Sequence, residues 1–409
     1  MDASLIIIGA GPAGLWAALT AAQRIPPERI LVLDRMAEAG AKLAVTGGGR
    51  GNISHVAIEE EFFSAFGRQG RFTMPAFRTL SPGMLRYALA RMGIPSDIDV
   101  DGRIYPLSQS ARQVRDVLYA AAKGAGIRFR FNHRVSRLVP PAGPGQPWRV
   151  DDLTARAVLL AAGGQSAAQL GSDGSGFALA KSAGYRIVTP VPALVPLHTV
   201  EKWPAAHSGL SLPEVQIRLA NQRGADEAVA GAMLFTHQGI SGPAVLNISG
   251  RVARRLAEGK SVHLELALSE DKPDFQQLRQ TAGTRTVLTW LAGRIPRALA
   301  RTLLDLAGIP PELTFSRLSS GQSKALLRHL TALPLTVSGT GGFAESMATS
   351  GGVSLQQVQP ENLEGRLAPG LFFAGEILDL DGPTGGWNLQ WAFCSGQLAG
   401  ASAAQQVRD

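Results

Sequence analysis

A glycine-rich loop near the start of the chain, in the segment SLIIIGAGPAGLWAAL, limits the number of folds that the chain can adopt. A short apolar run precedes Gly9, Gly11 and Gly14, and an Ala/Leu-rich stretch of helical character follows. A second apolar run, RILVLDR, comes next. The order strand, glycine loop, helix, strand predicts a βαβ unit in an α/β fold.

The spacing of these glycines suits a dinucleotide. Gly9 would form the tight turn, Gly11 would let backbone N–H groups meet a pyrophosphate, and Gly14 would let helix pack on strand. Asp34 closes the second apolar run 20 residues after Gly14, where a carboxylate can accept hydrogen bonds from an adenosine ribose. That carboxylate also disfavours a 2′-phosphate, because two negative charges repel.

Later segments favour a flavin over a nicotinamide. LLAAGG (159–164) and GLFFAGE (370–376) are apolar runs that end in glycines, and Glu376 could bind a ribityl hydroxyl. Gly385 and Gly386 open a final helix, whose dipole would stabilise negative charge on a reduced flavin ring. A glycine after one strand is usually a turn, so the interpretation depends on all three strand ends together.

The residue composition and the predicted secondary structure change twice along the chain, which predicts a domain split by an insertion. Residues 1–189 and 336–409 carry the α/β motifs, whereas residues 190–335 hold prolines, strand-like runs to about Leu268 and then Leu/Ala/Arg helices. We therefore expect residues 190–335 to be an inserted domain. DVDGRIYP predicts a hairpin, and Ser108 is expected to cap a helix that runs to about Lys123.

Composition excludes several classes of protein. A chain of 409 residues exceeds one ordinary domain. The lone Cys394 rules out a disulfide framework, a CxxC redox pair and a cysteine metal cluster. The histidines show no metal-ligand spacing, so no metal site is expected. Without a leader-like segment or an apolar run of about 20 residues, the cytoplasm is the expected location and no membrane partner is expected.

Positive charge concentrates in the middle of the chain. The 40 basic and 32 acidic residues give a net charge of +8. Between 273 and 335, eight Lys or Arg residues face three acidic residues. This balance allows a polyanionic partner such as RNA, although solvated arginine faces are common on helices of basic chains.

Seven motifs, in order, resemble the BaiN/RdsA-like NAD(P)/FAD-dependent flavoproteins, a family that includes bile-acid-linked reductases, an aminoacetone oxidase and ribosomal-RNA dihydrouridine synthases. The resemblance covers nearly the whole chain, and it implies a Rossmann-like two-dinucleotide-binding FAD domain interrupted by an inserted α+β domain that closes over the flavin. The motifs are GAGPAGL, GAKLAVTGGGRGN, DGRIYPLSQSA, GSDGSGFALAKSAG, MLFTHQGISGPAVLNIS, TSGGV and GLFFAGEILDLDGPTGGWNLQWA.

The resemblance also implies which residues hold FAD. The turn 47–49 would lie along the flavin and its pyrophosphate, with Lys42 and Arg50 supplying positive charge and Asn52 supplying hydrogen bonds; the alternative is a merely tight surface loop. Gly51 stands where many members have cysteine, and Ser110 where lysine is common, so no role is carried over to them. The residues expected to bind FAD non-covalently are Gly9, Gly11, Pro12, Ala13, Gly14, Asp34, Arg35, Lys42, Thr46, Gly48, Gly49, Arg50, Asn52, Val135, Ala162, Gly163, Gly375, Glu376, Gly385, Gly386, Trp387, Asn388 and Leu389.

The reaction leaves more alternatives open. Since no second strand–GxGxxG–helix unit occurs, NAD(P)H, if it is the electron donor, would visit the flavin transiently. Hydride transfer at flavin N5 would be followed either by reduction of a substrate double bond or by reoxidation with oxygen. His237, in LFTHQGISGP, is the candidate for proton transfer or substrate contact, and a histidine that only fixes its loop is an equal alternative.

Three functions follow: an FAD oxidoreductase acting on a small metabolite, an FAD enzyme reducing a uracil base in ribosomal RNA to dihydrouridine, and a flavin-binding interaction protein without turnover. The basic segment favours the second over the first. The third has no positive support, and the sequence leaves the oligomeric state open.

Overall fold

The structure, a computed structural model, describes residues 1–143, 145–220, 228–269 and 272–408. These residues form two compact units. The first unit joins Met1–Ala193 to the chain from Phe343 onward, and the second is Leu194–Gly342. The second unit begins at Leu194, a few residues after the start of the insert expected from the sequence. It also ends later than expected, because Leu333–Thr340 is one continuous strand of that unit.

The described chain contains strands and α-helices, numbered here in chain order. The strands are β1 Ala3–Ile8, β2 Ile30–Leu33, β3 Ser54–His55, β4 Ser96–Ile98, β5 Arg103–Pro106, β6 Arg128–Arg130, β7 Leu138–Val139, β8 Trp148–Val150, β9 Leu153–Leu160, β10 Ile187–Ala193, β11 Leu197–Thr199, β12 Ser211–Leu219, β13 Val229–Thr236, β14 Gly239–Ser241, β15 Val262–Ala267, β16 Leu333–Thr340, β17 Ala348–Val353 and β18 Leu371–Phe373. The α-helices are α1 Pro12–Ala22, α2 Glu59–Ala65, α3 Met74–Thr79, α4 Pro82–Arg91, α5 Ala111–Gly124, α6 Ser175–Ser182, α7 Pro243–Ala257, α8 Phe275–Thr281, α9 Val287–Leu291, α10 Arg297–Leu306, α11 Ser320–Thr331, α12 Gly342–Glu345 and α13 Trp387–Arg408.

The first unit is built on a sheet in the order β6-β2-β1-β9-β8-β7. Strands β6, β2, β1 and β9 run parallel, and β18 pairs in parallel with the second half of β9. Leu5, Ile6 and Ile7 of β1 have no exposed surface, as expected for a parallel sheet covered on both faces. The apolar run that predicted a strand is therefore the centre of the core.

The last helix, α13, packs closely on α1. A Cβ on Gly396 would lie 2.5 Å from the Ala13 carbonyl oxygen, and one on Gly400 would lie 2.4 Å from that of Ala17. Because both glycines lack a side chain, the two backbones can touch. The Ser395 hydroxyl accepts the Gly375 N–H at 2.9 Å, which fixes the first turns of α13 beside the end of β18.

The second unit is a closed barrel in the order β11-β14-β13-β12-β15-β16, with α7 between β14 and β15 and α8 to α11 between β15 and β16. Ile217, Leu264 and Val252 are buried in its core. The sequence suggested strand-like runs as far as Leu268, but Pro243–Ala257 is a helix. Proline suits its first position, and buried Val245, Ile248 and Val252 repeat at helical spacing.

Local predictions were met in part. The Asp-Gly pair does join antiparallel β4 and β5, which confirms the hairpin. Ser108 does not cap the next helix: Ser110 does, accepting the Gln113 N–H at 3.2 Å. Two serines lie in the same stretch, and only the one with an extended backbone directly before the first helical residue can act as the cap. The predicted α/β fold class is confirmed.

Candidate functional site

The carboxyl ends of the parallel strands meet at one edge of the first unit. Gly9, Asp34, Ala161 and Ala374 follow β1, β2, β9 and β18 directly. The chain leaves β1 toward β2 on one side and returns to β9 on the other, so β1 and β9 mark the point where strand order reverses. In open α/β sheets, ligands bind at such a point.

The first glycine loop has two kinds of glycine. A Cβ on Gly9, whose φ is +108°, would lie 2.3 Å from the Ala161 carbonyl oxygen, and one on Gly14 would lie 1.9 Å from that of Gly9. A Cβ on Gly11 would meet no atom of the described residues within 4 Å, its chain neighbours aside. Packing thus explains Gly9 and Gly14, while Gly11 leaves free space at the N-terminus of α1, where Pro12 and Ala13 begin the helix.

Asp34 holds this loop in place. Its carboxylate oxygens accept the backbone N–H of Ala10 at 2.6 Å and of Met36 at 2.8 Å. Burial raises the pKa of Asp34, and these two hydrogen bonds oppose the rise. The sequence suggested a ribose contact for Asp34, and the structure adds an anchoring role within the protein.

Lys42 and Glu376 lie together although they are far apart in the sequence. Lys42 Nζ is 2.8 Å from Glu376 Oε2, and Glu376 Oε1 accepts the Thr349 N–H at 2.7 Å. The Thr349 hydroxyl accepts the Gln165 N–H at 2.8 Å and bonds the Ser166 hydroxyl at 3.1 Å. Thr349 therefore joins Glu376 to the loop after β9; it lies in the quoted motif TSGGV but was not singled out.

The second glycine turn opens to solvent. Gly47, Gly48 and Gly49 have φ of +58°, +65° and +87°, a conformation that favours glycine. A Cβ on Gly48 or Gly49 would meet no atom within 4 Å in the part of the chain that the structure describes, whereas one on Gly47 would lie 2.7 Å from the backbone nitrogen of Asn52. Thr46, which is also expected to bind FAD, donates a hydrogen bond from its hydroxyl to the Leu43 carbonyl at 2.8 Å.

Arg50 and Asn52 follow this turn, and they differ in whether their side chains have a partner within the protein. The Arg50 guanidinium lies over the Tyr105 ring, 4.6 Å from its centroid, and donates to its hydroxyl at 3.3 Å. Asn52 Oδ1 is buried and has no hydrogen-bond partner among the described residues. A buried acceptor without a donor costs free energy, so Asn52 is suited to accept an N–H from a ligand.

The two departures from the family pattern are neighbours in space. A Cβ on Gly51, whose φ is +80°, would lie 3.0 Å from the Cα of Ala111. Ser110 precedes Ala111 and caps its helix. This corner of the site therefore differs from the pattern at two adjacent positions.

The start of α13 is held by its own neighbours. Asn388 accepts the Gly382 N–H at 2.8 Å and donates to the Gly382 carbonyl at 2.9 Å, which closes the loop before the helix. Gly385 and Gly386 have φ of +111° and +100°. Trp387 stacks on His55, with ring centroids 4.5 Å apart.

The remaining expected FAD residues adjoin several strands of the first unit and the last helix. Arg35 pairs with Asp173, which also pairs with Arg134 at 2.9 Å. Asp173 belongs to the motif GSDGSG. Burial acts to raise the pKa of Asp173, but the hydrogen bonds from Ser175 and the two arginines together lower it. The other members are placed by the strands and helix they adjoin: Val135 before β7, Ala162 and Gly163 after β9, Gly375 after β18 and Leu389 in α13.

His237 belongs to the second unit. It is exposed in the turn between β13 and β14, where Thr236 pairs with Gly239. The Thr236 hydroxyl accepts the Gly239 N–H at 3.1 Å, which closes the turn beside His237. An exposed imidazole on a fixed turn can exchange protons with a ligand.

The basic segment 273–335 presents several exposed cations. Arg285, Arg294, Arg297, Arg301 and Arg328 are exposed, and none joins an ion pair with another described residue. Arg297 and Arg301 lie one turn apart on α10, and Arg294 stacks on Trp290 at 4.0 Å. This surface can attract an anion, without specifying which.

Other classes of site find no support in the described residues. They contain no cluster of His, Cys, Asp or Glu that could hold a metal ion. Cys394 is fully buried in α13, and burial raises the pKa of its thiol. Within the part of the chain that the structure describes, no helix is both long and apolar enough to cross a membrane.

The residues present fit a dinucleotide. The open space at Gly11, Gly48 and Gly49 leaves room for the pyrophosphate and the ring of a dinucleotide. The Asn52 Oδ1 atom, which has no partner among the described residues, can accept a ring N–H. The edge therefore combines a place for a phosphate with a place for a flat polar ring.

Sequence relatives support this interpretation. Residues 3–402 match the family described as HI0933-like protein Rossmann domain. The chain is similar to a 3-dehydro-bile acid delta(4,6)-reductase of Clostridium scindens, with 33% identity and 98% of each chain covered. It is also similar to a ribosomal RNA dihydrouridine synthase of Escherichia coli, with 28% identity and 95% of each chain covered.

Solved structures show the same fold at low identity. A 3-ketosteroid delta1-dehydrogenase of Sterolibacterium denitrificans matches with a TM-score of 0.52 and 14% identity, over 99% of this chain and 100% of that one. A flavocytochrome c3 fumarate reductase matches with a TM-score of 0.51 and 17% identity, over 100% and 79%. The chain therefore belongs to the HI0933-like Rossmann family, and it is an FAD-dependent oxidoreductase, as its motifs predicted.

Proposed function

We propose that the chain takes a hydride from NAD(P)H and passes it, through N5 of a non-covalently bound FAD, to the double bond of a small organic substrate. The open glycines and the partnerless Asn52 oxygen at the carboxyl edge carry this proposal. The name of the Clostridium scindens relative, a delta(4,6)-reductase, favours a carbon–carbon double bond as the group reduced.

The residues of the first unit would bind and orient the cofactor. FAD, when bound, supplies hydride acceptance and donation at one ring position. The N-terminus of α1 beside Gly11 would hold the pyrophosphate, since its free N–H groups and dipole favour an anion. Asn52 would accept a ring N–H, and Glu376, fixed by Lys42 and Thr349, would accept a ribityl hydroxyl.

Proton transfer is assigned to His237. Reduction of a double bond adds a hydride to one atom and a proton to the other, so a group must supply the proton. The exposed imidazole of His237 has the chemistry for this, and the family resemblance implies that its loop faces the flavin.

Anaerobic reduction tests the proposal. Purified protein mixed with NADH or NADPH should bleach the flavin absorbance, and an enone probe should restore it. His237→Ala should keep its FAD and its rate of reduction by NAD(P)H, while the substrate half-reaction slows by about 10²–10⁴. His263→Ala, at an exposed position of β15, is the matched control. Unchanged reoxidation in His237→Ala would leave His237 a loop residue only.

Reduction of uracil in ribosomal RNA is the second candidate. The exposed arginines of 273–335 favour it, because cations displace counterions from a phosphate backbone. The name of the Escherichia coli relative, a ribosomal RNA dihydrouridine synthase, adds to it. The adjacent departures at Gly51 and Ser110 weigh against carrying over that relative's substrate, since both lie beside the second glycine turn.

Salt dependence and RNA composition separate the two candidates. An RNA enzyme should bind RNA more weakly as salt rises, and Arg297→Glu with Arg301→Glu should abolish dihydrouridine formation while FAD content stays constant. Absence of salt-sensitive binding, together with unchanged dihydrouridine in RNA from a deletion strain, would favour the small-molecule substrate.

A further inference from the structure

We infer that His55 is a positioning residue, which orients the peptide between Gly385 and Gly386 so that its N–H points toward the flavin. This inference rests on the proposed function, together with the expectation from the sequence that the flavin ring lies at the N-terminus of the last helix, α13. No metal-ligand or catalytic pattern in the sequence had drawn attention to His55.

The first step is the hydrogen bond between His55 and the glycine turn. His55 Nδ1 lies 3.0 Å from the Gly385 carbonyl oxygen. A carbonyl oxygen can only accept, so Nδ1 must carry the proton. The bond therefore fixes both the tautomer of the imidazole and the direction of the carbonyl.

The second step follows from the geometry of the peptide. The described chain contains no cis peptide bond, and in a trans peptide the C=O and the following N–H point in opposite directions. With the Gly385 carbonyl turned toward His55, the Gly386 N–H must point away from it. That N–H donates to no described residue, as expected for the first donors of a helix.

The third step is the rigidity of the arrangement. The imidazole stacks on Trp387 with an angle of 22° between the planes. A Cβ on Gly386 would lie 2.3 Å from the Ser54 carbonyl oxygen and 2.7 Å from Asn52 Oδ1. The turn is thus packed against β3 at Gly386 and hydrogen-bonded to His55 at Gly385.

The consequence concerns the reduced cofactor. A hydrogen bond to a carbonyl polarises its peptide and makes the N–H a stronger donor. A donor aimed at a flavin ring stabilises the reduced, more negative form above the oxidised form. His55 should therefore raise the affinity for reduced FAD more than that for oxidised FAD.

Two substitutions separate the hydrogen bond from the stacking. His55→Asn keeps an N–H donor close to the position of Nδ1, whereas His55→Phe keeps a flat ring without a donor. The measurement is the midpoint potential of bound FAD, together with the dissociation constant of the oxidised form. His263→Phe, in the second unit, is the control, and thermal unfolding of each FAD-free variant checks folding.

His55→Phe should lower the ratio of reduced to oxidised FAD affinity about fivefold, the size expected for one lost hydrogen bond, and make the potential more negative. His55→Asn should stay within about twofold of the wild type. Equal potentials in the wild type and His55→Phe, or equal losses in both variants, would overturn the inference.

A measurement without cofactor keeps the two proposals apart. Nitrogen NMR of the FAD-free protein reports the tautomer of His55, assigned by its absence in His55→Asn. Protonation at Nδ1 supports the orientation, and protonation at Nε2 overturns it. Failure of the wild type to bind FAD would instead contradict the proposed function.

Discussion

Gly9 and Gly14 face neighbouring backbone in the first loop, whereas Gly48 and Gly49 face open space in the second turn. Substituting the first pair would force protein atoms apart. Substituting the second pair would strain only the local backbone, because their φ angles are positive. The same residue type therefore serves the fold in one loop and leaves room for a ligand in the other, with Gly11 belonging by contact to the second kind.

The largest effect should come from Gly14→Ala. Its Cβ would lie 1.9 Å from the Gly9 carbonyl oxygen, so the helix must move off the strand. We expect the free energy of unfolding of the FAD-free protein to fall by about 3 kcal/mol or more, measured by urea unfolding. Gly83→Ala, at an exposed position of α4 with no atom within 4 Å of its Cβ, should be neutral or stabilising. Equal stability of Gly14→Ala and wild type would remove the packing explanation.

Gly11→Leu should abolish FAD binding and spare the fold. Gly11 has an extended backbone, φ −73° and ψ −176°, that any residue adopts, so stability should change by less than about 0.5 kcal/mol. The side chain would fill the space proposed for the pyrophosphate, and the Kd for FAD should rise more than about 100-fold, or about 2.7 kcal/mol. Fluorescence titration gives the Kd. Tight binding by this variant would place the pyrophosphate elsewhere.

Gly48→Ala and Gly48→Asn give the smallest and sharpest comparison. A non-glycine residue at φ +65° costs about 1 kcal/mol, and Asn tolerates this conformation better than Ala. Asn should therefore be the more stable variant, as measured by thermal unfolding. If the turn lies along the flavin, both should weaken FAD binding by about tenfold despite that difference. FAD affinity that follows stability alone would make the turn a surface loop.

The sequence predicted this edge because its signals are local. Strand, glycine and helix follow one another at Gly9–Gly14, and parallel strands must end at the same edge, so three strand ends with glycines converge. Asp34 was also predictable from its spacing, although its bonds to Ala10 and Met36 were not. Both partners of those bonds are backbone groups, which leave no mark in a sequence.

Contacts between segments that are distant in the sequence could not be predicted from it. Lys42 meets Glu376, and His55 meets Gly385, across more than 300 residues. The sequence supplied the residue types but not the partners, which depend on how the chain from Phe343 onward packs on Met1–Ala193 within the first unit. Likewise, whether Ser108 or Ser110 caps α5 depends on a backbone angle that neither side chain specifies.

In the second unit, the sequence predicted which residues are exposed but not what they bind. Its arginines were visible in the composition and are indeed exposed, yet exposure and charge do not choose between RNA and solvent. The helix Pro243–Ala257 was missed because it lies between strands, where short apolar runs suit either structure.

The central claim is that the carboxyl edge of the first unit binds FAD in the space its glycines leave open. Titration of the FAD-free wild type with FAD tests it most directly, with Gly11→Leu and Gly83→Ala measured alongside. The account predicts saturable binding by the wild type and Gly83→Ala, and none by Gly11→Leu at equal thermal stability. A folded wild type that takes up no FAD, or equal binding by all three proteins, would contradict it.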